Sequence, residues 1–172
     1  MNLKISCLLL ALLLPARAAD LVLEHAPVQV YFSPRGGCTG AVVGAIDGAR
    51  KTILVQAYSF TSAPIAGALK GARDRGVEVR VILDKGQRTE RYSGLTYLRH
   101  AGIPVWIDTV RGLAHNKVMV IDAGTVITGS FNFTKSAEES NAENLLVIRD
   151  PALAALYARY WAERLGHSEI VP

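Results

Sequence analysis

The chain has 172 residues, of which half are hydrophobic and one-fifth charged, a balance that excludes a disordered protein and allows one domain with a buried core. Its formal net charge of +4 is too small to indicate nucleic-acid binding by itself. No low-complexity segment, linker or internal repeat interrupts the sequence, so a repetitive or multidomain protein is not expected.

The first residues have the pattern of an export signal. A short basic start precedes an apolar run at residues 5–14, and the sequence ARA at residues 16–18 offers the small residues that a signal peptidase reads. The run is too short to span a bilayer comfortably, so a cleaved leader is favoured over a membrane anchor. We expect a signal peptide at residues 1–19, one domain at residues 20–172, and a periplasmic or secreted protein.

Loss of the leader changes the charge and the cysteine count. Lys4 and Arg17 leave with it and no acidic residue does, so 17 basic and 15 acidic residues remain, a net charge of +2. Cys38 is then the one cysteine left, which excludes an intrachain disulfide. We interpret it as a small buried hydrophobe; pairing between two chains is the alternative.

The rest of the chain alternates strand-like and helix-like segments. Apolar or alternating runs predict strands, and apolar residues at helical spacing predict helices. The short link at residues 122–124 makes the fifth and sixth strands a plausible hairpin. We expect an α/β fold in which a mixed β-sheet is sandwiched between helices on both faces. The predicted strands are 28–32, 52–59, 77–83, 103–107, 117–121, 125–128 and 143–148, and the predicted helices are 39–51, 64–76, about 89–100 and one opened by Pro151.

Four polar residues stand out in the apolar stretch AHNKVMVIDAGTVITGSFNFT, residues 114–134. His115 and Lys117 are two positions apart, as are Ser130 and Asn132, and residues two apart on a strand point to one face. Burying a lysine without a partner is costly, so we expect these side chains to converge on an anion. A phosphate suits the set, because the ammonium is a point charge for its oxygens while the hydroxyl and the amide donate hydrogen bonds.

The histidine adds reactivity to that anion site. A neutral imidazole can attack phosphorus and form a covalent intermediate, and a second imidazole must protonate the leaving oxygen and then activate water. Each ring needs a partner that fixes its tautomer. Glu143 and Asp122 are candidates, although Asp122 lies far along its strand from His115. The sequence has no cysteine cluster, HExxH motif or paired carboxylates, so neither a metal nor another cofactor is expected.

These residues resemble a known signature. His115-Asn116-Lys117, Asp122 and then Gly129-Ser130-Phe131-Asn132 match the HxKxxxxD…GSxN pattern of the phospholipase D superfamily. The chain is similar to the small single-motif bacterial endonucleases of that superfamily over nearly its whole length after the leader. The segments that carry the likeness are VQVYFSP, AIDGARKTILVQAYSFTSAPIAGALKGARDRGVEVRVILD, GIPVWID and TGSFNFTKSAEESNAENLLVI.

The resemblance implies a role for each residue of the site. His115 is expected to be the nucleophile that forms a phosphohistidine. Lys117 and Asn132 are expected to bind the phosphate oxygens, with Ser130 assisting. Glu143 matches the acidic residue that orients the histidine in this family.

Two further implications concern the motif aspartate and the number of motifs. Asp122 is expected to support the site structurally rather than to take part in the chemistry. Larger family members carry two motifs facing each other, whereas this chain has one. The resemblance therefore implies a half-domain that forms a homodimer, in which two copies of His115 share one metal-independent active site.

Several neighbouring residues have two interpretations. Arg88 and Arg111 follow predicted strand ends, where α/β sheets bind ligands, so they are candidates for contact with substrate as well as ordinary surface charges. Tyr58 and Phe60 could stack on a base, although a place in the core is favoured. Asn132 could also cap the helix that follows it, and residues 138–139 are expected to form a solvated helix face.

Three functions fit these residues. The leading hypothesis is an exported, metal-independent endonuclease that hydrolyses DNA or RNA with little sequence preference. A phospholipase D that hydrolyses phospholipid head groups could use the same residues, but the chain lacks an obvious long lipid-binding insertion. A non-catalytic nucleic-acid-binding domain is the third hypothesis, and the intact set of polar residues argues against it.

Overall fold

The computed structural model describes residues 19–172, so the predicted leader lies, apart from Ala19, outside the described residues. The strands are Val28–Ser33 (β1), Thr52–Ala57 (β2), Glu78–Asp84 (β3), Val105–Asp108 (β4), Lys117–Ile121 (β5), Thr125–Gly129 (β6), Glu143–Arg149 (β7) and Ser168–Ile170 (β8). The α-helices are Cys38–Gly48 (α1), Ala63–Asp74 (α2), Leu95–His100 (α3), Lys135–Glu139 (α4) and Pro151–Leu165 (α5). Every helix within residues 19–172 is too short or too polar to cross a membrane.

All eight of these strands form one sheet in the order β1-β7-β6-β5-β2-β3-β4-β8. The neighbours β2, β3 and β4 run parallel, and the other pairs are antiparallel. The prediction of a mixed sheet is confirmed, and β5 and β6 form the expected hairpin. Parallel neighbours require crossover connections, so α2 joins β2 to β3 and α3 joins β3 to β4, while α1 joins β1 to β2. This order agrees with the alternating strand and helix signals of the sequence.

Helices cover both faces of the sheet, as predicted. The first three helices bury their apolar residues on one face, in a core that includes Val42 of α1, Leu69 of α2 and Leu98 of α3. Helix α5 lies on the other face, where Ala154 packs against the valines of β5 and β6. The indole N–H of Trp161 donates a 2.9 Å hydrogen bond to a β2 carbonyl, so α5 is fixed to the sheet by a polar contact as well as by packing.

The last turn of α5 is fastened to β4 by a buried ion pair. Arg164 donates to both carboxylate oxygens of Asp108, with Nε at 2.8 Å from Oδ2 and Nη2 at 2.5 Å from Oδ1. The hydrogen bonds that Arg164 donates to Asp108 raise the pKa of the arginine. Because Asp108 is fully buried, loss of the arginine would leave an uncompensated charge inside the protein.

The third helix is shorter than predicted. Residues 89–94 do not join α3; a single 3-10 turn spans Lys85–Arg88, and the α-helix begins at Leu95. The N–H of Gly94 donates to the carbonyl of Phe60 at 2.7 Å, and a Cβ on Gly94 would lie 2.5 Å from that ring. This tertiary contact holds the segment in a turn against the local helical pattern. The three-residue strand β8 was not predicted, because its pairing with β4 carries no local signal.

Helix α1 is capped by a residue from the other half of the chain. The carboxylate of Glu138 accepts hydrogen bonds from Gly37 N at 3.0 Å and Thr39 N at 2.7 Å. The expectation that Glu138 belongs to a solvated face is wrong, since this half-buried side chain satisfies the free N–H groups of α1. Cys38, between these donors, is fully buried, and burial raises the pKa of its thiol, as suits a small core residue.

Candidate active site

The signature residues meet at one edge of the sheet because several strands begin or end there. Strand β5 begins at Lys117, which pairs with Ala57 at the end of β2. Strand β6 runs back and ends at Gly129, and β7 begins at Glu143, which pairs with Ser33 at the end of β1. The order of these strands therefore brings the HxK and GSxN segments to the same edge.

His115 and Lys117 are in direct contact. Lys117 Nζ lies 2.9 Å from Nδ1 of His115 and 3.2 Å from Nε2, and it donates a 2.9 Å hydrogen bond to the His115 carbonyl. An ammonium group can only donate, so the ring nitrogen that faces it carries a lone pair. The arrangement therefore favours a neutral imidazole, which is the form that can attack phosphorus.

Lys117 is a buried cation, with 6% of its surface exposed, whereas His115 is exposed. Burial lowers the pKa of Lys117, and the negative charge of Glu143 acts in the opposite direction. A buried cation of this kind gains more from an anionic ligand than a solvated lysine does, because the ligand replaces the hydration that burial has removed.

The segment that carries His115 is anchored on both sides. The N–H of Ala114 donates to Oδ2 of the buried Asp84 at 2.8 Å, and the carbonyl of Asn116 accepts from the N–H of Tyr58 at 2.8 Å. The Tyr58 ring packs on the imidazole, with centroids 4.3 Å apart and planes tilted by 49°. Tyr58 is thus half-buried against the site. Asp84 fixes the backbone beside the histidine, a role that the sequence did not indicate.

The turn into the GSxN segment requires a glycine and leaves polar groups available. Gly129 has φ of +146°, and a Cβ there would lie 2.3 Å from the Asn144 carbonyl oxygen. Ser130 Oγ accepts a 3.0 Å hydrogen bond from Asn144 N, so its own proton can be donated elsewhere. The Oδ1 atom of Asn132 is buried and has no hydrogen-bond partner among residues 19–172. Thr134, not Asn132, caps α4.

Comparison with known proteins identifies the family of this fold and site. The family described as "Cardiolipin synthase, PLD-like domain" matches residues 42–165, which is most of the chain. The chain belongs to the phospholipase D superfamily. It is a phosphodiesterase hydrolase.

The chain is similar to proteins whose names refer to lipids and also to solved bacterial structures. It is 45% identical over 149 residues to a phospholipase D of Rickettsia prowazekii, covering 87% of this chain and 73% of the relative. It is 31% identical over 155 residues to a mitochondrial cardiolipin hydrolase of Canis lupus familiaris, covering 82% and 61%. The crystal structure of Nuc, a phospholipase D family member from Salmonella typhimurium, superimposes with a TM-score of 0.81 at 40% identity, covering 85% of this chain and 98% of Nuc.

Glu143, the acidic residue that the resemblance assigns to the site, makes no hydrogen bond to the histidine. Its Oε1 accepts a 3.2 Å hydrogen bond from Asn141 Nδ2, and within residues 19–172 no hydrogen bond joins it to His115. It acts on the site electrostatically, through the pKa of Lys117. Its role in orienting the imidazole stays a prediction.

The aspartate of the superfamily signature lies away from the other site residues. Asp122 follows the last residue of β5, whereas Lys117 is the first, so the strand separates them. Its carboxylate accepts hydrogen bonds from Arg50 N at 2.8 Å, Lys51 N at 2.7 Å and Thr52 N at 2.9 Å. Burial acts to raise the pKa of Asp122, but these backbone donors outweigh it and lower the pKa below 3.8. The position agrees with a structural role.

The two arginines proposed from the sequence lie at the edge where β3 and β4 end. Arg88 Nη2 pairs with Glu169 Oε2 at 2.9 Å, so its charge already has an exposed partner. Arg111 is exposed, and its backbone carbonyl accepts from Lys85 Nζ at 3.0 Å. Among residues 19–172, no group of three or more histidine, cysteine, aspartate or glutamate side chains could hold a metal ion.

Proposed function

We propose that this phosphodiesterase is a metal-independent endonuclease that hydrolyses DNA or RNA with little sequence preference. The observation that carries the proposal is the direct contact of His115 with the buried Lys117, at the sheet edge that also carries Asn132 and the Ser130 hydroxyl. A nucleophile, a cation and two hydrogen-bonding groups are the parts that phosphoryl transfer through a covalent intermediate requires.

In the first step, the lone pair of His115 attacks phosphorus, and the bond from phosphorus to the leaving oxygen breaks. Lys117, Asn132 and Ser130 stabilise the negative charge that builds on the non-bridging oxygens. The leaving oxygen takes a proton from a second imidazole. In the second step, that imidazole removes a proton from water, the water oxygen attacks phosphorus, and the bond to His115 breaks.

The second imidazole is proposed to be His115 of a second copy of this chain. The other histidines among residues 19–172 are His25, His100 and His167, and none of them forms a hydrogen bond with a signature residue. A two-fold symmetric dimer would bring the same surface of each copy together, so one composite site would contain both rings.

An uncovered apolar strip on the sheet supports this dimer. Val28, Val30 and Phe32 of β1 are 47%, 50% and 67% exposed. By strand register they share the face on which α5 packs, but α5 covers the strands from β6 onward and leaves β1 open. Phe32 lies at the active-site end of β1, so the strip ends at the sheet edge that carries the site.

A lipid phosphodiester is the alternative substrate. The relatives named phospholipase D and mitochondrial cardiolipin hydrolase favour it. Nucleic acid is favoured by the resemblance to small single-motif endonucleases and by the exposed Arg111 at the active-site edge.

We also propose that the protein is exported, on the basis of residues 1–19. Cell fractionation with N-terminal sequencing tests this: a periplasmic protein that begins at residue 19 or 20 supports it, and a protein confined to the cytoplasm with Met1 retained would contradict it.

One assay separates the candidate substrates. The chain is supplied with plasmid DNA, RNA, and vesicles of phosphatidylcholine or cardiolipin, all with excess chelator. We expect nucleic-acid cleavage that persists in chelator, disappears in His115→Ala and is retained in the matched control His100→Ala, an exposed histidine on α3. Release of lipid head groups without nucleic-acid cleavage would overturn the endonuclease proposal, and binding without turnover would indicate an inert domain.

A further inference from the structure

A groove lies beside the active site, between the start of α2 and the turn that precedes α3. Its volume is about 320 Å³, which is the lower end of the range for small-molecule sites. The residues around it belong to no motif of the sequence. Most of the lining surface is apolar, and five of the eight lining residues also carry a hydroxyl group: Thr61, Ser62, Tyr92, Ser93 and Tyr97.

The floor of the groove is bonded to the segment that carries the phosphate-binding amide. The N–H groups of Thr61 and Ser62 both donate to the carbonyl of Phe133 at 2.9 Å. Phe133 directly follows Asn132, and the Phe60 ring packs edge-on against Phe133 with centroids 6.0 Å apart. The groove is therefore adjacent to the site where the scissile phosphate is proposed to bind.

Ser62 supplies a polar group that has no partner. The residue is only 3% exposed and lines the groove, yet its hydroxyl makes no hydrogen bond with any residue in the range 19–172. It is the N-cap residue of α2 without capping that helix. Since the residue lines the groove, its hydroxyl is available to donate a hydrogen bond to a ligand atom or to accept one from it.

The start of α2 adds a preference for negative charge. The helix has 12 residues, and its N-terminal Ala63 lines the groove next to Ser62. The aligned peptide dipoles and the free N–H groups of a helix N-terminus attract phosphate. A ligand that places one group against Ser62 and a phosphate at the helix start would use both features.

Two tyrosines supply exposed aromatic surface to the same groove. Tyr92 is 71% exposed and Tyr97 is 46% exposed, which is unusual for rings of this size. The Arg91 guanidinium lies 5.5 Å from the centroid of the Tyr92 ring and adds a positive charge at the rim. Exposed tyrosine rings next to an arginine are the elements on which single-stranded nucleic acids stack their bases.

We propose that this groove binds the base of a nucleotide adjacent to the scissile phosphodiester, with Tyr92 and Tyr97 stacking on the base, Ser62 bonding to its polar edge, and the neighbouring phosphate at the start of α2. The inference rests on the endonuclease function proposed above. An unstacked base is required, so the substrate class is single-stranded DNA or RNA. The two exposed tyrosine rings and the Arg91 guanidinium at the rim favour a planar base, which can stack on them, over a lipid acyl chain, which cannot.

The test compares a single-stranded DNA oligomer with an oligomer of equal length whose sugars carry no bases. We expect wild-type protein to have a higher kcat/KM for the intact oligomer. Tyr92→Ala and Tyr97→Ala should each reduce that preference about 5- to 100-fold, the range of single base-stacking contacts. Tyr92→Phe keeps the ring and should retain the preference, while Ser62→Ala should reduce it by about 3- to 10-fold. Thr96→Ala, an exposed neighbour on α3 outside the lining, is the control.

The outcomes distinguish the two proposals. If both oligomers are cleaved and the two alanine variants keep the wild-type preference, the base site is overturned and the endonuclease stands. If wild-type protein cleaves neither oligomer, the endonuclease itself fails and the base site fails with it. Hydrolysis of cardiolipin vesicles that falls in Tyr92→Ala and Tyr97→Ala would assign the groove to a lipid instead. Thermal unfolding of each variant checks that the fold is retained.

Discussion

The ammonium group of Lys117 and the imidazole of His115 share a hydrogen bond, 2.9 Å from Nζ to Nδ1, at the start of β5. The cation proposed to hold the phosphate thus lies against the ring proposed to attack it. A phosphate oxygen that draws the ammonium away would release the ring's lone pair at the moment when phosphorus is within reach. Binding of the substrate and activation of the nucleophile are therefore coupled in this arrangement.

This arrangement predicts an alkaline limit to activity that depends on Lys117. Burial lowers its pKa from 10.5, so the side chain loses its charge at a lower pH than a solvated lysine does. Activity should be full below that pKa and should fall as pH rises through it. Lys117→Arg remains charged in this range, so its profile of kcat/KM against pH should extend to higher pH even if the maximum is lower. An alkaline limb at the same pH in both proteins would contradict the assignment.

A shared site predicts that mixing active and inactive chains has a disproportionate effect. If each site needs two copies of His115, hybrids of wild type and His115→Ala have one nucleophile or one acid, never both. After the chains are co-refolded, activity should fall as the square of the wild-type fraction. Mixtures with His100→Ala should retain full activity. A fall in simple proportion to the wild-type fraction would show that each chain acts alone.

The uncovered strip on β1 gives a second prediction about assembly. Phe32→Asp places a charge in the proposed interface, where it would be desolvated without a partner. The Kd of the dimer should therefore rise at least tenfold, and activity should fall with it. Val22→Asp, at an exposed position before the first strand, is the matched control and should leave both unchanged. Sedimentation velocity measures the association, and an active monomeric Phe32→Asp protein would refute the shared site.

The motif aspartate is predicted to affect stability rather than catalysis. Asp122→Ala leaves three backbone N–H groups without their acceptor, so the free energy of unfolding should fall by about 1.5–3 kcal/mol. Asp47→Ala, an exposed residue with a 4.0 Å ion pair, should change it by less than about 0.5 kcal/mol. Urea unfolding measures both changes.

The pH dependence of this contribution has a definite sign. The pKa of Asp122 is lower in the folded chain than in the unfolded chain, so its stabilisation is complete above the unfolded pKa of about 3.9 and is lost as pH falls through the folded pKa. The difference in stability between wild type and Asp122→Ala should therefore shrink at acidic pH. A tenfold fall in kcat/KM at neutral pH for a folded Asp122→Ala would contradict the structural role.

Local patterns were sufficient to predict the sheet, most helix and strand boundaries, and the convergence of the HxK and GSxN segments. They were sufficient because strand periodicity and turn residues act over a few positions. The contacts that were missed join distant parts of the chain. Glu138 caps α1 across about 100 residues, Asp84 holds the backbone of Ala114 across 30, and the bond from Gly94 to Phe60 delays the start of α3 until Leu95. Such contacts depend on the assembled fold, so a local sequence pattern does not predict them.

The turn at Asp122 is a structural part of the signature, and β5 separates it from the residues proposed to react. Asp122 and Ala123 both have φ of 52°, the left-handed pair of a tight hairpin turn, and the carboxylate locks that turn to the start of β2. A descendant that exchanged its histidine for an inert residue would still need this lock to keep β5 and β6 in register. The aspartate in the signature is therefore a marker of ancestry and architecture, whereas competence for hydrolysis must be judged at the other end of the strand.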